Sequence, residues 1–118
     1  MTRSATMPAD ITSSNLTVIA HELMGEAGAS DTAARAARTI VARHGLRATL
    51  IALRNGHQLA QHDSPGAATL FVVEGDVLLR AASREWRLTA NDVISVPPQR
   101  HSLLAKSDAV VLLTARLD

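Results

Sequence analysis

The chain contains no cysteine and no tyrosine. Without cysteine there are no disulfides, no thiolate metal ligands and no cysteine nucleophile. Any metal would have to be held by histidine, carboxylate or amide groups. The aromatic residues are Phe71 and Trp86, so a core must be built from Leu, Val, Ile and Ala. So few rings also argue against a protein that stacks nucleic-acid bases or sugars. No apolar run approaches the roughly 20 residues of a membrane span. The opening MTRSATMPADITSS lacks the apolar centre of a secretory signal, and a cytoplasmic protein is expected. Charge of one sign is not in excess: a net +1 exerts no global pull on nucleic acid.

What is present suffices for one domain. In 118 residues, 47% are hydrophobic, enough to bury a core. Residues 1–14 mix Ser, Thr, Ala and Pro without periodicity and read as a flexible tail. The domain proper is expected over 15–118, including a helix at 15–27. Ser14 or Asn15 can cap that helix, and Leu16, Ile19, Ala20, Leu23 and Ala27 fall on one face. Gly25 and Gly28 mark its end. Such a short helix must dock its apolar stripe on something.

Residues 31–43 are open to two readings. Ser30 or Asp31 could cap a second, Ala- and Arg-rich helix, whereas Thr39-Ile40-Val41 favours a strand. A strand over about Arg38 to Arg43, a turn at His44-Gly45 and a partner strand at 47–53 is the preferred reading. Beyond it the pattern is all β. Turn signals at Asn55-Gly56, Ser64-Pro65-Gly66, Glu74-Gly75-Asp76, Ser83-Arg84, Ala90-Asn91-Asp92, Pro97-Pro98 and Lys106-Ser107-Asp108 separate short apolar runs. Strands at roughly 8–12-residue intervals imply a sandwich or barrel. The last run, AVVLLTA, is continuous rather than alternating, which implies burial on both faces or a subunit interface.

Arg35, Arg38, Arg43, Arg47 and Arg54 cluster in a stretch, Thr32 to His62, that contains no acid. A face for nucleic acid or an anionic ligand is one reading. Solvated strand faces that protect a sheet edge are the preferred one, and nucleic acid is not an expected partner. His21 and His44 read as solvent-facing, and His57 as a residue at the barrel mouth.

Two pieces carry a resemblance. The first is Gly56, five residues, His62, Pro65 and a strand ending in Glu74-Gly75. The second is Asn91-Asp92, the strand Val93–Val96, Pro97-Pro98 and His101-Ser102. Together, over about residues 47–115, they resemble the cupin superfamily, mainly-β barrels of the jelly-roll, double-stranded β-helix kind. The resemblance implies a histidine-based site at the barrel centre. His62 matches the first histidine of the family's first motif and His101 the histidine of the second. Ser64 stands where a second histidine would be, Ala68 where a glutamate would be, and Asn91 in place of a glycine. Half of the ligand set is therefore absent.

A divalent ion (Fe, Mn, Ni, Cu or Zn) on His62 and His101 is thus possible but less expected than none, because a tight site wants three or four ligands. If His62 points inward, strand alternation puts Gln58 on the same face as a third polar group. The expected function is binding of a small molecule inside the barrel by His62, His101 and Gln58. The alternatives are a metal-dependent oxygenase or isomerase using His62 and His101, and a structural or partner-binding barrel without ligand. A homodimer is expected, since a docked helix and open barrel edges invite pairing.

Overall fold

The computed structural model describes residues 11–28, 34–62 and 66–117, with backbone alone at 61–62. The stretch 1–10 of the expected tail, the Ser30/Asp31 cap and Ser64 lie outside the described residues. One helix, α1 (Leu16–Glu26), precedes nine strands: β1 (Arg35–Arg43), β2 (Leu46–Leu53), β3 (Gln58–His62), β4 (Ala68–Glu74), β5 (Asp76–Ala81), β6 (Arg84–Thr89), β7 (Val93–Ser95), β8 (His101–Ala105) and β9 (Ala109–Arg116). They form two antiparallel sheets, β1-β2-β9-β4-β7 and β3-β8-β5-β6. The ambiguity over residues 31–43 is resolved for 35–43. β1 turns at His44-Gly45 into β2 and pairs with it from Arg35↔Leu53 to Arg43↔Leu46, with a bulge between Thr39 and Val41.

The five-stranded sheet is covered on both faces. Its inner face meets the other sheet across Leu53, Ala68, Leu70, Val72, Val77, Leu79, Leu88, Leu103, Val111 and Ala115. Its outer face carries α1, where Ala20, Leu23 and Ala27 pack on Leu50, Ala52 and Val110. β9 alternates between the two cores, Val110 toward the helix and Val111 toward the barrel. That double burial accounts for its unbroken apolar run.

Asn15 caps α1, its side chain accepting from the Val18 amide at 3.0 Å. The other end is held by Arg54, whose Nε donates to the Ala27 carbonyl at 2.8 Å and whose Nη2 donates to that of Met24 at 2.7 Å. These are carbonyls that the helix itself leaves without a donor. Arg54 also bridges to Asp108 at 3.1 Å. Arg38 reaches Glu22 at 2.9 Å and Glu26 at 3.0 Å on the helix. The hydrogen bond that Arg38 donates to Glu22 raises the Arg38 pKa above its ordinary value, against some desolvation. The acids missing from the arginine-rich stretch are therefore supplied by α1 and by the loop before β9. Among the described residues, no helix is long and apolar enough to cross a membrane.

Candidate functional site at the barrel mouth

β3 and β8 lie side by side, and their register makes His62 and His101 direct cross-strand partners. The two positions, far apart in sequence, thus occupy one rung at the same end of the four-stranded sheet. The pairing contains a bulge: Leu59 faces Leu103 and His62 faces His101, three steps along β3 against two along β8. Bulges of this kind re-aim side chains and recur next to functional sites.

His101 opens β8 and shares a face with Leu103 and Ala105, the inward face. It is 5% exposed. Its Nδ1 lies 3.0 Å from the Gln99 carbonyl, so a protonated Nδ1 donates there. Pro97 and Pro98 precede this contact in the segment that delivers the ring.

Gln58 needs a correction. It pairs with Leu104, one step out of phase with Leu103 and His101, and its side chain is exposed while Leu59 packs on the core. Alternation counted back from His62 put it on the inward face. The bulge adds a residue between Leu59 and His62 and cancels that count. His57 sits at the other end of β3, its carbonyl accepting from the Ala105 amide at 3.0 Å. Ala105 is four residues along β8 from His101, about 13 Å at strand rise. His57 therefore belongs to the far end of the sheet. His21 and His44 are exposed, as the sequence implies.

Ala68, at the position corresponding to the glutamate, is a buried methyl in the core. Among the described residues no three His, Asp or Glu side chains gather closely enough to hold an ion.

An open groove of about 510 Å³ lies beside His101, lined by Ala81–Arg84, Trp86, Ile94–Val96 and Pro97–Gln99. Two lining residues tie it to the histidine: Ala81 is its register partner on β5, and Gln99 receives its ring nitrogen. Arg84, Trp86 and Leu88 recur at every second position of β6. Leu88 is buried in the core, Trp86 half-buried, and Arg84 exposed at the rim with its guanidinium 4.8 Å from the indole centroid. The groove did not emerge from the sequence, although one signal was available. An Arg two residues before the only tryptophan, in REWRLT, puts both on one strand face.

No family model and no curated protein matches the sequence. Solved structures do match. A conserved protein of unknown function from Streptococcus pyogenes is 26% identical, with a TM-score of 0.65 over 71% of this chain and 75% of that one. An RmlC-like cupin from Shewanella frigidimarina is 21% identical, with a TM-score of 0.66 over 75% of this chain and 81% of that one. A cupin superfamily protein from Desulfitobacterium hafniense is 15% identical, with a TM-score of 0.66 over 71% of this chain and 78% of that one.

Proposed function

We propose that this chain, which has the cupin fold, binds a small organic molecule at the mouth of its barrel, with His101 as the polar contact on the inner wall and Trp86 as the apolar one. The observation that carries this reading is an open groove of ligand size lined by Ala81 and Gln99, the register partner and the hydrogen-bond partner of the buried His101. The centre of the barrel is filled by Leu70, Val72, Leu79, Leu103 and Val111, so space for a ligand lies at the end where His101 sits. Burying a histidine among aliphatic side chains is costly unless its nitrogens are used. One nitrogen of His101 lies against the Gln99 carbonyl, which ties the ring to a segment that lines the groove. His62, on the same rung of the sheet, adds a second imidazole-bearing position.

The test is a thermal-shift screen of small carboxylates, amides and sugars on the full chain and on His101→Ala. Binding to the native state raises the midpoint in proportion to ligand concentration over Kd. The expected result is a concentration-dependent rise for at least one compound class that His101→Ala abolishes. A flat response across the whole screen would discard the ligand-binding reading and leave a structural or partner-binding barrel.

A further inference from the structure

Arg38, Arg54 and Arg80 each lie against a carboxylate, the last on Glu85 at 2.7 Å. Arg84 differs. Its guanidinium rests over Trp86, and no carboxylate of a described residue pairs with it. No Asp or Glu is among the residues that line the groove, and Arg84 is the one Lys or Arg among them. Among the described residues that line it, the groove therefore carries one positive charge, held on an aromatic face with no carboxylate of a described residue in ion-pair contact.

We propose that Arg84, stacked on Trp86, makes this groove selective for a carboxylate carried on a flat apolar body. The proposal deepens the reading above and rests on the mouth being the ligand site. A cation–π contact fixes the guanidinium without spending its N–H groups, and all five donors remain for an acceptor. Their fork matches a carboxylate in two parallel hydrogen bonds. The rest of the groove suits the remainder of such a ligand: Trp86, Ile94, Val96 and Pro97 offer an apolar wall, and Ser83 and Ser95 flank it. A phosphate would bring two charges and a tetrahedral set of oxygens, which ordinarily draw several cations or a row of backbone amides. A single arginine favours the carboxylate.

Trp86 is the only tryptophan and tyrosine is absent, so emission excited at the red edge of indole absorption reports on the groove alone. The full chain is titrated with phenylacetate, with phenylacetamide as its uncharged counterpart, and with inorganic phosphate. Phenylacetate is expected to change the Trp86 emission saturably. Phenylacetamide should bind about tenfold more weakly, and phosphate should neither saturate nor displace phenylacetate over the same range. Arg84→Gln should bring phenylacetate down to the level of the amide, with Arg84→Lys in between. Arg84 is exposed, so these variants are expected to fold, and unchanged far-UV circular dichroism checks it. Equal binding of acid and amide, or an Arg84→Gln variant that binds phenylacetate unchanged, overturns the charge selection and leaves the mouth standing as a site. Displacement by phosphate at comparable concentration overturns the carboxylate class. If neither aromatic probe moves the emission and the thermal screen is also flat, the mouth itself is not a ligand site.

Discussion

Gly56 and Gly75 have the same backbone torsion, φ +87°, and very different surroundings. A methyl group added at Gly56 would meet nothing within 4 Å. One added at Gly75 would run into the Asp108 carbonyl and would lie 2.7 Å from Ala109 Cα. The left-handed conformation costs an alanine about 1–2 kcal/mol wherever it occurs. Gly56→Ala should lose about that much in denaturant unfolding, and Gly75→Ala about 3 kcal/mol or more, because backbone cannot swing aside as a side-chain tip does. Equal losses would mean that the chain at Asp108 gives way freely. The same scale decides the question of a metal. Protein purified without an affinity tag from medium supplemented with Fe, Mn, Ni, Cu and Zn is expected to carry each of them well below one per chain. A stoichiometric ion in elemental analysis would restore the metal-dependent alternative, with His62 and His101 as its first ligands.

Among the elements, α1 is held by two kinds of contact that predict different sensitivities. Arg54 satisfies two carbonyls at the helix end from a partly buried position. Arg54→Ala should therefore destabilise by about 2 kcal/mol, since hydrogen bonds from charged donors are among the stronger ones. Arg38 makes its ion pairs with the Glu22 and Glu26 side chains, which are 54% and 57% exposed, where screening and side-chain entropy consume most of the gain. Arg38→Ala should shift the unfolding midpoint much less than Arg54→Ala, and a reversal of that order would refute this division of roles. From the sequence these two arginines were indistinguishable members of one basic run. Their partners, Met24, Ala27 and Asp108 for one and Glu22 and Glu26 for the other, come from elements that only the fold brings close. Local periodicity, by contrast, was legible. The stripe Leu16, Ile19, Ala20, Leu23 and Ala27 is the face that packs on the sheet, and the β1–β2 hairpin turns at His44-Gly45 as read. What periodicity could not carry was the extra residue in β3. A bulge changes the phase of a strand without leaving a compositional mark, and the placement of Gln58 failed there.

At the scale of the whole molecule, the two motif histidines were readable as candidates because each stands at one end of a short strand beside a turn signal. The groove was not, since it is assembled from the ends of β5, β6 and β7 and the Pro97–Gln99 segment. The same shared construction governs stability. β2 and β9 contribute alternate residues to the barrel core and to the helix core: Ile51, Leu53 and Val111 to one, Leu50, Ala52 and Val110 to the other. Neither core can open while the other keeps these strands in register, so α1 and the barrel should unfold as one unit. The two ends of the structure carry separate probes. Far-UV circular dichroism at the helix band follows α1 together with the sheets, and Trp86 fluorescence follows the barrel mouth, on the other sheet from the helix. Their thermal and denaturant transitions are expected to coincide, and Leu23→Ala, which opens a cavity under the helix at a cost of about 3 kcal/mol, should lower both midpoints equally. A helix signal lost ahead of an unmoved Trp86 transition would show that α1 is an appendage on an independent barrel, and the domain would then begin at β1.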